Sequence, residues 1–121
     1  MKPSSAKAKG RTFQQWVAKA IQEHFQLTAR DVVSTSMGAG GVDVKLSQAA
    51  FDKLPAAIEC KNIASFAGYK FMDQANEHVK DAGGFPLVFV KANHRSPIVM
   101  LDAITFLRIA RRSGFTEWMD A

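Results

Sequence analysis

The sequence predicts an α/β domain, in which a mixed central sheet is flanked by helices in the order αβββαββα. Three features lead to this prediction. An early segment places apolar residues at helical spacing, short β-branched, alternating or apolar runs follow it, and glycines mark the turns between them. Because 121 residues suffice for one hydrophobic core, we expect a flexible basic arm over residues 1–11 and a single domain over residues 12–121.

The first helix is predicted over about residues 12–26. Thr12 and Gln15 have the spacing of a capping box, in which an N-cap hydroxyl and a glutamine three residues later bond to free backbone amides. The residues after Thr12 form one apolar face, which consists of Phe13, Trp16, Val17, Ala20, Ile21 and Phe25.

A β-hairpin is expected next. Residues 31–36 are short and β-branched, and residues 42–46 alternate between apolar and polar side chains. Three glycines among residues 38–41 oppose regular structure, so they predict the turn between the two strands. A short helical or looped excursion follows over residues 47–55, and a third strand is predicted over residues 56–61.

The second half of the chain contains two helices and two strands. A helix over residues 69–80 ends before Gly83 and Gly84. The run LVFV at residues 87–90 is typical of a strand covered on both faces, and residues 97–101 form another apolar run. Asp102 is a suitable cap for a last helix over residues 103–112.

Charge and composition limit the partners. Sixteen basic residues against eleven acidic ones give a net charge of +5, and residues 1–30 alone carry six basic residues and one acidic residue. Such a surface either binds a polyanion such as nucleic acid or serves solubility alone. No apolar run is long enough to span a membrane, and no secretory signal is visible. The single cysteine, Cys60, excludes an intramolecular disulfide and a cysteine-cluster zinc site, and favours a reducing, cytoplasmic location.

The acidic middle of the chain carries the candidate chemistry. Glu59 and Lys61 are two residues apart on a predicted strand, so their side chains share one face, while Ile58 and Cys60 face apolar packing. Asp43 lies on the preceding strand, and a suitable register brings it close to Glu59. Two neighbouring carboxylates repel each other unless a cation lies between them. Oxygen ligands without a histidine or cysteine cluster favour Mg²⁺ or Mn²⁺ over zinc.

These residues resemble the signature of the PD-(D/E)XK nuclease superfamily. Gly41-Val42-Asp43-Val44, followed after a spacer by Ile58-Glu59-Cys60-Lys61, is similar to its Asp and E-x-K motifs. The predicted α-βββ-α-β order also matches the restriction-endonuclease-like core of that superfamily. Within it, the chain most resembles small, phage-encoded nucleases of the Holliday-junction-resolvase type, which begin with a basic arm, a Lys-Gly-Arg segment and an amphipathic helix. The resemblance covers about residues 9–110.

The resemblance implies specific roles. Asp43, Glu59 and the carbonyl of Cys60 would bind Mg²⁺, for which Mn²⁺ would substitute, and Lys61 would position the attacking water. The products would carry a 5′-phosphate and a 3′-hydroxyl. Resolvase-like members have a further glutamate early in the first helix, where this chain has Gln14 or Gln15, so one-metal and two-metal mechanisms both stay open. Gln14 is therefore a possible accessory residue, and the resemblance implies the same for Gln74, because the family often has a glutamine near the site on the second helix.

Several residues are candidates for DNA contact. They are basic or hydroxyl side chains near the predicted site or in the arm, and the alternative for each is an ordinary solvated side chain. The three histidines, His24, His78 and His94, lack metal-ligand spacing and are interpreted as surface residues or phosphate contacts, and Trp118 as a candidate interface residue. The DNA-binding candidates are Lys7, Lys9, Arg11, Ser34, Ser36 and Lys91.

The leading hypothesis is a Mg²⁺-dependent DNA endonuclease that selects branched DNA such as a Holliday junction, with a role in DNA recombination. Symmetric cutting of two strands requires two sites, which predicts a homodimer that acts in the cytoplasm, that of the host cell if the protein is phage-encoded. Two alternatives remain. One is a nicking, flap or repair nuclease of the same superfamily, and the other is a non-catalytic nucleic-acid-binding module with a decayed nuclease site.

Overall fold

The computed structural model describes residues 3–36 and 40–113. The predicted class is confirmed, because the chain forms a five-stranded mixed sheet with four helices. A short helix occupies the segment for which the sequence predicted a helical or looped excursion. The elements in chain order are α1 (Pro3–His24), β1 (Val32–Ser34), β2 (Val44–Leu46), α2 (Gln48–Lys53), β3 (Ala56–Asn62), α3 (Gly68–Ala82), β4 (Phe85–Lys91), β5 (Ile98–Met100) and α4 (Ala103–Ser113).

The strands lie in the sheet in chain order, β1 to β5. Strands β1, β2 and β3 are antiparallel neighbours, β3 and β4 are parallel, and β5 returns antiparallel to β4. The parallel pair is the longest ladder and runs from Ala56 beside Phe85 to Asn62 beside Lys91. Helix α3 makes the crossover that a parallel connection requires.

A helix covers each face of the sheet. On one face α1 buries Val17 and Ile21 against a cluster that includes Ile58. On the other face α3 packs Phe71 and Ala75 against Val88 and Val90 of β4. Because side chains alternate along a strand, Ile58 faces α1 while Glu59 faces α3. The candidate residues of β3 therefore lie in the α3 layer.

The structure corrects the start of the chain. Helix α1 begins at Pro3, so the prediction of a flexible arm is wrong for residues 3–11, which form the first turns of the helix. Alanine and lysine in this segment are good helix formers, and the single Gly10 does not end the helix. Tertiary contacts also hold the segment. Lys9 Nζ donates to Asn93 Oδ1 at 3.1 Å, and the carbonyl of Lys9 accepts from Asn62 Nδ2 at 3.4 Å.

Other boundaries differ less. Strands β1 and β2 have three residues each, so Asp43 lies at a bend just before β2 and not within a strand. The Ser47 side chain caps α2 by accepting from the Ala50 N–H, and Asp102 caps α4 as predicted, with Oδ1 accepting from the Thr105 N–H at 3.0 Å. The middle of the predicted glycine turn and Trp118 lie outside the described residues. Among the described helices, none has both the length and the apolar character needed to cross a lipid bilayer.

Candidate functional site

The backbone of Asp43 is fixed by hydrogen bonds with three other segments of the chain. Its N–H donates to the carbonyl of Ile58 at 3.0 Å. Its carbonyl accepts from the N–H of Thr35 at 2.9 Å, from Thr35 Oγ1 at 3.2 Å and from Gln14 Nε2 at 2.9 Å. Gln14 Nε2 also lies 3.4 Å from the Thr35 carbonyl, and Gln14 is only 4% exposed. The position of Asp43 therefore depends on α1, β1 and β3 together.

The side chain of Asp43 takes the place of a backbone acceptor in the sheet. Strands β2 and β3 are paired at Val44 and Ile58. If this ladder continued, Asp43 would lie opposite Glu59, and the Cys60 N–H would bond to the backbone of residue 42. Instead, Asp43 Oδ2 accepts from the Cys60 N–H at 2.8 Å. The two strands separate here, and the Asp43 carboxylate lies beside that of Glu59.

Glu59 is a buried acid with an unusual protonation equilibrium. It lies in the centre of the sheet and is 7% exposed. Burial raises its pKa to about 8, and the negative charge of Asp43 and a hydrogen bond with the Asp43 carboxyl act in the same direction. The ammonium group of Lys61 lowers the pKa by a smaller amount. The predicted convergence of the two acids is confirmed, and burial together with the charge of Asp43 favours the protonated form of Glu59.

Lys61 lies on the same face of β3, as the strand periodicity predicts. Its Nζ is 3.9 Å from Glu59 Oε1 and 5.4 Å from the centre of the Phe71 ring of α3. The aromatic face attracts the ammonium group and orients the long side chain along the sheet. Lys61 is also partly exposed, so its charge is available at the end of β3.

Helix α3 adds two polar side chains to this layer. Gln74 and His78 share the sheet-facing side of α3 with Phe71 and Ala75, at the spacing of one helical face. His78 Nε2 lies 3.3 Å from Glu59 Oε2, but the contact lacks hydrogen-bond geometry. Glu59 Oε2 and Gln74 Oε1 are both buried without a hydrogen-bond partner. Buried polar atoms without a partner are rare in folded proteins, so both oxygens are candidates to accept from, or to coordinate, a bound group.

The donors available to a metal ion are all oxygens. Within residues 3–36 and 40–113, no group of three or more His, Cys, Asp or Glu side chains is arranged to hold a metal. A metal at this position would therefore have two carboxylate ligands, from Asp43 and Glu59, and would need backbone, amide or water oxygens in addition. The Cys60 N–H points toward Asp43, and the carbonyl of a strand residue points to the same side as its N–H. The Cys60 thiol faces the α1 layer, where burial raises its pKa.

The accessory and DNA-binding candidates separate into groups. Gln14 is a positioning residue for the Asp43 backbone, because its amide bonds to carbonyls in the α1 layer. Lys9 and Lys91 lie together in a groove beside α1, on the opposite face of the sheet from Lys61. The other candidates do not join the carboxylates or this groove. Lys7 and Arg11 are exposed on α1, Ser34 is half-buried in β1, and Ser36 is exposed after β1.

One residue of this layer was missed by sequence reasoning. His78 was interpreted as a surface residue or phosphate contact, whereas it is half-buried against Glu59. Its spacing from Phe71 and Ala75, seven and three residues earlier, gave a signal that it shares their face. Which strand residue that face covers could not be known without the packing of α3.

Comparisons with known proteins add no assignment. No protein-family model, curated protein or solved structure matches this chain. The geometry of Asp43, Glu59 and Lys61, with the polar side chains around them, is therefore the basis for assigning a function to this chain.

Proposed function

We propose that this protein is a Mg²⁺-dependent DNA endonuclease with Asp43, Glu59 and Lys61 as its catalytic residues. The observation that carries the proposal is the pairing of two carboxyl groups in a buried layer with a lysine beside them. The strands before and after this site follow the order that the PD-(D/E)XK resemblance implies, which supports the same reading. An ion pair on an exposed strand, the simplest structural alternative, is inconsistent with the burial of Glu59.

The donor set fits a hard divalent cation. Glu59 would bind it in the charged form, and a cation would offset both burial and the repulsion from Asp43, which together raise the pKa of Glu59. The buried Glu59 Oε2 and Gln74 Oε1 lack hydrogen-bond partners, and a cation with its bound waters would satisfy both atoms. When bound, Mg²⁺ would supply positive charge to the scissile phosphate and make a water more acidic.

The chain itself would perform three tasks. Asp43, held by Gln14 and the Cys60 N–H, fixes one side of the site. Lys61 Nζ donates a hydrogen bond to the attacking water and stabilises charge that develops on the phosphate. The water oxygen forms the new bond to phosphorus and the water gives one proton to the solvent, while the bond to the 3′-oxygen breaks and that oxygen takes up one proton from the solvent. The products are a 5′-phosphate and a 3′-hydroxyl.

Branched DNA is the proposed substrate, and a homodimer is the proposed active form. Within residues 3–36 and 40–113, one sheet with its helices carries both the carboxylates and the basic side chains, so backbone contacts and DNA shape would determine selectivity. Two symmetric cuts require two copies of the site. Helix α4 and the edge strand β5 supply a surface for this contact, because Ile98, Ile104 and Leu107 are exposed apolar side chains.

The test is a cleavage assay on a four-way junction beside a linear duplex of equal length, with Mg²⁺, Mn²⁺ or EDTA. We expect metal-dependent cutting of the junction, and a loss of at least about 100-fold in rate for Glu59→Gln and for Lys61→Met, because each removes a charge needed in the transition state. DNA binding should change little. Matched controls are Glu23→Gln and Lys19→Met, which remove exposed charges on α1.

One observation favours the non-catalytic alternative. Gln14 bonds to backbone carbonyls, and the described residues supply only two carboxylates to the site. A decayed site of this kind would bind DNA but no metal. Calorimetry with Mn²⁺ decides between the two, because the proposed nuclease should bind Mn²⁺ and Glu59→Gln should abolish the binding. Equal cutting by the wild-type and Glu59→Gln proteins would refute the proposed site, and a panel of junction, flap and nicked substrates distinguishes a resolvase from a nicking, flap or repair nuclease.

A further inference from the structure

A groove of about 580 Å³ lies beside the proposed site, on the other face of the sheet. It is formed by the first half of α1 and by the ends of β3 and β4, where Asn62 and Lys91 are neighbours in the ladder. Asn62 directly follows Lys61, so the groove and the carboxylate layer meet at the same end of β3. The volume falls within the range of small-molecule and nucleotide pockets.

One wall of the groove is an aromatic surface. Trp16 is 50% exposed, although it belongs to the apolar face that the sequence assigned to α1. Its ring stacks on that of the buried Phe13, with 6.2 Å between the ring centres and 20° between the planes. Both residues line the groove, so its aromatic surface consists of a half-exposed indole stacked on a buried ring. Every nucleic-acid base has a complementary flat face, so such a surface accepts a base of any sequence.

Basic side chains also line the groove. Lys9 Nζ donates to Asn93 Oδ1 at 3.1 Å, and Lys91 Nζ donates to the Ala92 carbonyl at 3.2 Å. An ammonium group has three donors, and each lysine uses one of them in these bonds. His94 also lines the groove, and none of its ten lining residues, all of them described, is acidic. The groove therefore offers positive charge and an aromatic face to one ligand.

We propose that this groove binds one unstacked nucleotide of a DNA strand, with its base on Trp16 and its phosphate beside Lys9 and Lys91. A stacked base pair in duplex DNA cannot present a base face to Trp16, whereas an unpaired nucleotide at a branch point or in a single strand does so. The inference rests on the proposed function in one respect, that the polyanion is DNA. It adds the preference for unpaired nucleotides and the residues that produce it.

The test measures binding without metal, so that it does not depend on cleavage. Trp118→Phe removes the second tryptophan, and the fluorescence of Trp16 is then followed in EDTA with a single-stranded oligonucleotide, a fully paired duplex and free dTMP. We expect the single strand to quench Trp16 and the duplex to quench it weakly or not at all. Trp16→Ala should weaken single-strand binding, measured by anisotropy, about fivefold or more, and Trp16→Phe should retain most of the affinity.

Two controls exclude a general effect of surface changes. Tyr69→Ala removes an aromatic side chain that is 91% exposed on α3, outside the groove, and should leave affinity unchanged. The double variant Lys9→Met, Lys91→Met should weaken DNA binding and reduce its dependence on salt concentration. Lys19→Met is the control, and both of its effects should be smaller. Rescue by Trp16→Phe separates stacking from a loss of folding.

Three results would overturn the inference. They are equal quenching by duplex and single strand, unchanged affinity for Trp16→Ala, and binding of dTMP as tight as that of the oligonucleotide, which would assign the groove to a free nucleotide. The outcomes are distinguishable from those of the cleavage assay. If the protein binds the unstacked nucleotide but cuts no substrate, this inference holds and the proposed function is refuted. If the protein cuts DNA but Trp16→Ala binds single strands as tightly as the wild type, the proposed function holds and this inference is refuted.

Discussion

At the scale of single residues, Asp43 connects the sheet to the proposed chemistry. Its Oδ2 occupies the place of a backbone acceptor for the Cys60 N–H, and its own carbonyl is held by Gln14 and Thr35. Moving the carboxylate away from Glu59 would break hydrogen bonds in the sheet. The repulsion between the two acids is therefore built into the fold, and it contributes to the raised pKa of Glu59.

Substitution of Glu59 should remove a dependence of stability on pH. The pKa of Glu59 rises from an ordinary value of 4.5 to about 8 in the folded chain. Between these values the folded chain keeps a proton that the unfolded chain releases. The protonated Glu59 side chain therefore stabilises the folded chain fully below pH 4.5, and this stabilisation is lost as the pH rises through 8. The free energy of unfolding is measured with urea in the absence of metal. Between pH 5 and pH 8 we expect it to fall by at least about 1 kcal/mol more for the wild type than for Glu59→Gln.

The matched control for this measurement is Glu23→Gln. Glu23 is an exposed carboxyl on α1, so its substitution should leave the pH dependence of the wild type in place. Parallel pH profiles for the wild type and Glu59→Gln would mean that Glu59 is ionised at neutral pH in the folded chain.

Gln14 and Gln15 give a second comparison, between neighbours with opposite environments. Gln14→Ala removes the Nε2 donor to the carbonyls of Asp43 and Thr35, and should lower the free energy of unfolding by about 1–3 kcal/mol. Gln14→Glu should be destabilising as well, because it places a carboxylate oxygen, which only accepts hydrogen bonds, against the two carbonyl oxygens. Gln15 is exposed, so Gln15→Ala should stay within about 0.5 kcal/mol of the wild type. Urea unfolding measures all three, and a stability of Gln14→Ala equal to that of Gln15→Ala would contradict the assigned role.

The residues of the site differ in how far the sequence predicts them. The meeting of Asp43 with Glu59 depends on the strand register, which the sequence left open, and Asp43 lies just outside β2. Strand alternation is a local rule, so the placement of Lys61 beside Glu59 follows from the chain alone. The roles of Gln14 and His78 do not. Each depends on how a helix lies across the sheet, which is decided by packing between segments 29 and 19 residues apart.

At the scale of elements, the five strands and the three longer helices were predictable because each segment has a local signal, whereas the sequence left the segment of α2 open between a helix and a loop. The start of α1 was not, since residues 3–11 are held by contacts with Asn62 and Asn93, far along the chain. The sequence overestimates the lengths of β1 and β2 for a related reason. The β1–β2 ladder ends just before Thr35 and Asp43. There Thr35 Oγ1 donates to the Asp43 carbonyl, and Asp43 Oδ2 accepts from the Cys60 N–H.

The turn between α3 and β4 depends on a glycine that no other residue can replace. Gly84 has φ +75°, and a Cβ there would lie 2.1 Å from the carbonyl oxygen of Pro55. That oxygen accepts the Phe85 N–H at 2.9 Å and so fixes the start of the parallel ladder. Gly84→Ala should therefore lower the free energy of unfolding by about 3 kcal/mol or more, through backbone strain and the clash.

Gly40→Ala is the control for Gly84→Ala, because a Cβ at Gly40 meets nothing within 4 Å. It should change stability by less than about 0.5 kcal/mol. Thermal and urea unfolding of the two variants, measured side by side, give the comparison. Equal stabilities would show that the backbone around Pro55 moves to accept the new side chain.

At the scale of the whole molecule, α4 lies largely outside the two packed layers. None of its residues is buried, and Ile104 and Leu107 are each 58% exposed. Strand β5 forms the adjacent edge of the sheet, with Ile98 and Val99 also exposed. Within residues 3–36 and 40–113 no strand pairs with the outer edge of β5, and exposed apolar side chains at such an edge are typical of a contact between protein chains. The proposed endonuclease needs a second copy of the site, which makes another copy of this chain the expected occupant.

The double variant Ile104→Asp, Leu107→Asp should therefore convert a dimer into a monomer, because it places two charges in the apolar contact. Sedimentation over a range of concentrations measures the change, and Val33→Asp, an exposed position on the opposite edge strand β1, should leave the dimer intact. If the dimer coordinates two cuts, the monomeric variant should still nick one strand of a junction while paired cutting is lost. A wild-type chain that sediments as a monomer at every concentration, bound to junction DNA or free, would remove the basis for symmetric cleavage and favour a nicking or flap nuclease.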